Sequence, residues 1–86
     1  MGCRSGVIVE VGMRKKIITN NIRMLRFLNG EMTQSELRKR VGVTRQTIAA
    51  IEAGKYSPSL EAAFGIAEVL GKRLDEVFAW GEVENE

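Results

Sequence analysis

The stretch that most constrains this chain is residues 33–52, which lay out two short helices around one sharp turn. Thr33 is an N-cap candidate, and Glu36 follows three residues later. At that spacing hydroxyl and carboxylate each satisfy the other's backbone N–H. Leu37 and Val41 share one helical face at a four-residue step. Gly42 then supplies the positive-φ freedom that a tight turn requires. Val43 closes the apolar junction, and Thr44 is a second N-cap candidate. Ile48 and Ile51, three residues apart, face back toward Leu37 and Val41. Arg45, Gln46, Ala49 and Ala50 are left on the outward side.

The flanking sequence reads as further helices. Ile18, Ile22 and Leu25 fall at i, i+4 and i+7 and predict a first helix over residues 20–28, capped by Thr19 or Asn20. Asn29-Gly30 ends it, and Glu31 adds a residue to a short loop. After the loop Gly54-Lys55-Tyr56-Ser57-Pro58, Ser59 caps a fourth helix. Its buried face reads as Leu60, Ala63, Phe64, Ala67 and Leu70, and Gly71 closes it. Leu74, Val77 and Phe78 mark a short fifth helix. Trp80 either locks the core or lies in a dimer seam. Val7-Ile8-Val9-Glu10-Val11 is rich in β-branched residues but has no evident strand partner in an otherwise helical chain. It reads first as a leader ahead of Met13, and otherwise as a disordered tail or as a ribbon paired with its own copy across a two-fold axis.

Composition removes most chemistry. A chain of 86 residues is one domain, and at that size only about 60% of the unfolded surface is buried, so dimerisation would help. There is no histidine, which excludes histidine acid–base catalysis and histidine metal ligation. The single cysteine, Cys3, rules out a disulfide within the chain. The nine glycines are isolated turn and stop residues, so no phosphate-cradling loop is present. The carboxylates lie at caps and on helix surfaces. No enzyme, cofactor, metal or small-molecule ligand is expected. With no signal peptide and no apolar run near 18 residues, a cytoplasmic protein that does not enter membranes is expected.

The net charge of +2 hides an asymmetry. Residues 14–55 hold ten basic side chains against three acidic ones, whereas residues 56–86 hold two against seven. A basic half joined to an acidic half suits a phosphate-facing surface with a solvent-facing or partner-facing back.

The phrases Met32-Thr33-Gln34, Gly42-Val43-Thr44-Arg45-Gln46-Thr47-Ile48 and Ile51-Glu52-Ala53-Gly54-Lys55-Tyr56-Ser57-Pro58-Ser59-Leu60 resemble the phage-repressor/Cro-like helix-turn-helix family, also called Xre. The likeness runs from about Ile18 to Trp80. It implies an all-α fold, a compact five-helix lambda-repressor-like domain over residues 17–80. Residues 1–16 would be a flexible leader or arm and residues 81–86 an acidic tail. In that arm Arg14-Lys15-Lys16 would reach the DNA backbone or form a solvated lead-in. The implied function is sequence-specific binding of double-stranded DNA as a transcriptional regulator, with repression as the leading version. The helix at about 44–53 would enter the major groove. Arg45, Gln46 and Ala50 then stand at the family's base-reading positions, Arg45 suited to guanine O6/N7 and Gln46 to adenine N6/N7. Gln34, Thr44, Thr47, Lys55 and Tyr56 would meet the DNA backbone.

The likeness also implies a structural ion pair between Arg26 and Glu52, because a semi-buried guanidinium needs a bidentate acceptor. Two departures stand out. Arg38 occupies a place where the family puts a small alanine, so its stem snorkels outward or the helices part slightly. Arg73 stands where a Ser or Thr cap is usual. A homodimer on a palindromic operator is expected, with Leu74, Val77, Phe78 and Trp80 as the candidate seam. The alternative is an antitoxin-like or coactivator-like module that uses the same fold to dock a protein.

Overall fold

The computed structural model describes residues 6–83. In chain order it contains β1 (Val7–Val11), β2 (Arg14–Asn20), α1 (Ile22–Leu28), α2 (Gln34–Val41), α3 (Arg45–Glu52), α4 (Leu60–Leu70), α5 (Leu74–Val77) and β3 (Phe78–Glu82). Hydroxyl caps start three of the helices. Thr33 Oγ1 accepts the Glu36 N–H at 3.0 Å, and the Thr33 N–H donates to the Glu36 carboxylate at 2.9 Å, a complete capping box. Thr44 accepts the Thr47 N–H and Ser59 the Ala62 N–H, each at 3.1 Å. Gly42 stops α2 at φ 92°, with its N–H donating to the Arg38 carbonyl at 2.7 Å. A Cβ in that left-handed region costs roughly 1–2 kcal/mol, so the turn between α2 and α3 depends on glycine.

Leu37, Ile48 and Ile51 are buried with Ile22, Leu25, Met32, Ile66, Ala67, Leu70 and Val77, and Val41, Val43 and Phe78 pack against this cluster. The inward face of α4 is Ala63, Ile66, Ala67 and Leu70, one stripe at i, i+3, i+4 and i+7. Leu60 and Phe64, expected inside, are 72% and 57% exposed. At about 100° per residue, Phe64 sits well round the helix from Ala63, and Ile66 fills the stripe instead. The chain leaves α1 through Gly30 and Glu31, both with positive φ (73° and 56°), while Asn29 does not adopt that conformation. The extra loop residue, Glu31, thus takes a backbone region that non-glycine residues rarely adopt.

The all-α, compact five-helix expectation is overturned. The helices are joined by a three-stranded antiparallel sheet in the order β1-β2-β3, which makes the fold α/β. The strand partner that Val7–Val11 lacked in the sequence is the run Arg14-Lys15-Lys16-Ile17-Ile18, whose β-branched Ile17 and Ile18 suit a strand as well as a helix lead-in. Two residues, Gly12-Met13, connect the strands, and Gly12 at φ 64° fits the first position of a type II′ hairpin turn. β1 therefore pairs inside the chain, and the segment expected as a leader or arm supplies β1 and the first part of β2. At the other end Gly81 and Glu82, expected in an acidic tail, lie in β3, while residues 84–86 and residues 1–5 with Cys3 are outside the described residues.

Cross-strand pairs set the register. Val7, Ile18 and Trp80 line up across the sheet, as do Val9, Lys16 and Glu82, and Glu10 stands opposite Lys15. Lys16 Nζ donates to Glu82 Oε2 at 3.1 Å and lies 5.7 Å from the centre of the Trp80 ring. The junction between sheet and helices is fastened by two asparagines. Asn20 Nδ2 donates to the Ile51 carbonyl at 2.9 Å while its Oδ1 accepts the Ile22 N–H at 3.1 Å. The Asn21 N–H donates to the Val77 carbonyl at 2.9 Å. Asn20 is thus the last residue of a strand rather than a helix cap, and α1 begins two residues later than the periodicity predicts.

The Lys16 ammonium, hydrogen-bonded to Glu82 and beside it, with Arg14 adding charge, holds the Glu82 carboxyl below its ordinary value of 4.5. A depressed folded pKa contributes stability above the unfolded value, and that contribution is lost as pH falls through the folded one. Acidification through that lowered value therefore removes this tie between β3 and β2. Trp80 emission will change ahead of the helical circular dichroism; coincident transitions would show that the Glu82 tie does not matter.

Candidate functional site

The outward side of α3 is built from its own cap and first turn. Arg45 and Gln46 are exposed, and Thr47, Ala49 and Ala50 are half-buried. The Thr44 and Thr47 hydroxyls lie 2.9 Å apart, and Thr44 Oγ1 also accepts the Thr47 N–H. One hydroxyl proton joins the two oxygens, so the second is free to reach an external acceptor. Lys55 and Tyr56 are exposed in the loop that follows α3, where the Lys55 N–H donates to the Ala50 carbonyl at 2.9 Å. Gln34 opens α2 beside this surface. The first N–H groups of a helix have no preceding carbonyl in reach and point outward as anion donors.

Behind the surface the structure brings Arg26 and Glu52 together. Arg26 Nε donates to Glu52 Oε2 at 2.7 Å and Nη2 to Oε1 at 3.1 Å, a bidentate pair. The third contact of the guanidinium, Nη1 to the Met32 carbonyl at 2.7 Å, fastens the loop before α2. The two side chains are 13% and 9% exposed, so α1 is clamped to the end of α3 by a nearly desolvated pair. Glu52 Oε1 also accepts from Gln34 Nε2 at 3.0 Å, and Gln34 Oε1 lies 3.5 Å from Arg45 Nη1. The links of Gln34 to Glu52 and to Arg45 are not among the sequence-based expectations. The available signal was spacing: Arg45 and Glu52 are seven residues apart, two turns, and so share one stripe of α3.

Positive charge continues onto α2, where Arg38, Lys39 and Arg40 fill the last turn, Arg38 half-buried and the other two exposed. Cations there also suit the carbonyl end of the helix. Apart from this face, α5 and the sheet enclose an open, mainly apolar groove of about 420 Å³ lined by Ile18, Leu74, Phe78, Ala79 and Trp80, with Arg73 and Asp75 at its edge. Trp80, for which core and seam were both open, is 53% exposed on that groove. Arg73 caps α5 without a side-chain acceptor, which a guanidinium lacks, and the Glu76 carboxylate instead accepts the Arg73 N–H at 2.8 Å. Among the described residues no three His, Cys, Asp or Glu side chains group as metal ligands, and no helix is long and apolar enough to cross a membrane.

Comparison with known proteins points to the same segment. The Helix-turn-helix family profile matches residues 22–77, from the start of α1 to the end of α5. All three strands lie outside that match. An uncharacterized HTH-type transcriptional regulator of Methanocaldococcus jannaschii is 45% identical over 65 residues, covering 76% of this chain and 97% of that protein. The uncharacterized HTH-type transcriptional regulator YgzD of Bacillus subtilis is 46% identical over 66 residues, 77% of this chain and 97% of that protein. A third, from Methanothermobacter thermautotrophicus, is 54% identical over 52 residues, 59% of this chain and 75% of that protein.

Proposed function

This chain belongs to the helix-turn-helix family of DNA-binding transcriptional regulators, and from that premise we propose that it is a sequence-specific regulator, acting as a repressor, that lays α3 in the major groove. The observation that carries the reading is the pair Arg45 and Gln46: two long hydrogen-bonding side chains exposed on the first turn of a helix whose other side is locked into the core by Ile48 and Ile51. A helix braced in this way has little backbone entropy left to lose on binding. Arg45 supplies two N–H donors to guanine O6 and N7, Gln46 one donor and one acceptor to adenine, and Ala50 a methyl contact. The hydroxyl of Thr44 or Thr47, Lys55, Tyr56 and the free first-turn N–H at Gln34 meet phosphates on either side.

One such helix reads only a few base pairs. Two copies with their α3 helices one DNA turn apart, about 34 Å, would read a palindrome. The apolar groove between α5 and the sheet, with Trp80 exposed and Phe78 half-buried along it, is the surface proposed for that homodimer. Arg45→Ala will cost about 1–3 kcal/mol at one base-pair position and leave binding to unrelated duplex little changed. Fluorescence anisotropy with single-base variants of the preferred site measures this. Equal affinity of parent and mutant for every variant would contradict the assignment of Arg45.

A further inference from the structure

We infer that the outer edge of β1 is a pairing surface for a second copy of this chain, the two β1 strands lying antiparallel across a two-fold axis at Val9. β1 lies outside the matched residues 22–77, so the family likeness does not bear on it. In the order β1-β2-β3 it is an edge strand, with one side bonded to β2.

Which backbone groups point outward follows from one hydrogen bond. The Val83 N–H donates to the Lys15 carbonyl at 3.2 Å, so Lys15 directs its backbone groups toward β3. In an antiparallel strand the N–H and C=O of one residue point to the same neighbour, and successive residues alternate. Arg14, Lys16 and Ile18 therefore point toward β1, and their partners Val11, Val9 and Val7 point back. Ile8 and Glu10 are left with N–H and C=O on the outer edge, and among the described residues no backbone group bonds to them there.

Proteins blunt such edges with proline, lysine, a bulge or a covering element. β1 has no proline, lysine or bulge: its five residues pair one to one with β2, and four of them are β-branched aliphatics. Its single charge, Glu10, already stands opposite Lys15. The strand is also complementary to itself. With the axis at Val9 all five residues find a partner. Ile8 stands opposite Glu10 of the second copy and Glu10 opposite its Ile8, each pair exchanging both N–H···O bonds. Val9 meets Val9, and Val7 meets Val11, through side chains alone. Moving the axis to Glu10 sets carboxylate against carboxylate, which opposes pairing. Moving it to Ile8 shortens the run of strand residues that pair.

The groove proposed for the homodimer is lined from β2, β3 and α5 and by no residue of β1, so one chain can use both surfaces. Edge pairing then joins two dimers and makes adjacent DNA sites fill cooperatively; that consequence, unlike the pairing itself, rests on the function proposed above.

The test is sedimentation equilibrium of the full chain over a concentration series, because a contact this small is weak. Ile8→Pro removes an outward N–H and no bond to β2, a position where edge strands tolerate proline. It is expected to lower the mass reached at high concentration about twofold, from tetramer to dimer where the groove also pairs and from dimer to monomer where it does not. Ile8→Glu is expected to do the same, by setting a second carboxylate against Glu10 of the other copy. Ile8→Lys removes the same apolar surface, faces that carboxylate with a cation, and is expected to keep the mass of the parent. This contrast decides the matter even where Ile8→Pro unravels the hairpin. On a duplex carrying two of the sites that the parent selects, Ile8→Glu will lose cooperativity and keep its affinity for a single site.

A mass unchanged by Ile8→Glu overturns the pairing, and an equal loss in Ile8→Glu and Ile8→Lys overturns the register at Val9. A parent that stays monomeric throughout overturns both this edge and the groove. A parent dimer that Ile8→Glu leaves intact overturns the edge alone.

Discussion

Glu52→Ala will destabilise the fold by about 3–5 kcal/mol, because it strands the Arg26 guanidinium in a nearly dry site. Arg26 and Glu52 are 13% and 9% exposed and share two hydrogen bonds, so neither has water to fall back on. For a domain of this size each kcal/mol moves Tm by about 4–8 °C, and the expected fall is at least about 12 °C. Removing both charges with Arg26→Met and Glu52→Met together will cost less than Glu52→Ala alone, since no unpaired ion is left behind. The double change still frees the Met32 carbonyl and Gln34 Nε2, so full recovery is not expected. Calorimetry of the two variants beside the parent decides the matter. A loss below about 1 kcal/mol for Glu52→Ala would show that water screens the pair as it does a surface ion pair.

Raising monovalent salt from about 50 to about 200 mM will weaken specific DNA binding by roughly 10³-fold. The estimate takes about three phosphates neutralised per protomer and about six per dimer, which gives a slope of about −5 in log K against log salt. The source of that charge is the block between residues 14 and 55, ten cations against three carboxylates, including Lys39 and Arg40 at the end of α2 and Lys55 beyond α3. Lys55→Ala will flatten the slope by about one per protomer and weaken all duplexes alike. Gln46→Ala carries no charge and will leave the slope unchanged while altering preference at one base pair. A slope near zero would mean that the basic face does not meet phosphate.

The helical half of the fold was legible because its signals are local. Thr33 with Glu36, Gly42, Thr44 and Ser59 each act within four residues of themselves, and all sit where the structure uses them. Leu37, Ile48 and Ile51 were readable by step size alone. The sheet was not legible in the same way. β2 meets β3 across separations such as Lys16 to Glu82, and no local pattern announces a partner that far along the chain. Ile17-Ile18-Thr19 fits the end of a helical stripe as well as a strand, and the choice of strand was made by Trp80, Gly81 and Val7–Val11 flanking it. The two-residue link Gly12-Met13 between β-branched runs was the available hairpin signal.

At the site, Arg45 and Gln46 stood out as polar residues on the outward side of α3, whereas the bond from Gln34 to Glu52 joins two helices and had no one-dimensional trace. The α4 stripe shows the limit of apolar counting. Leu60 and Phe64 are large and hydrophobic, yet the helix turns them outward and buries Ala63 and Ala67 instead.

The claim on which everything rests is that the exposed first turn of α3 reads base pairs. Selection of bound duplexes from a random pool, run in parallel with the parent chain and Arg45→Ala, tests it most directly. The parent is expected to enrich inverted half-sites centred about one helical turn apart, and Arg45→Ala to lose the same base preference in both halves. A recovered pool indistinguishable from the input, or one enriched identically by the two proteins, would contradict it.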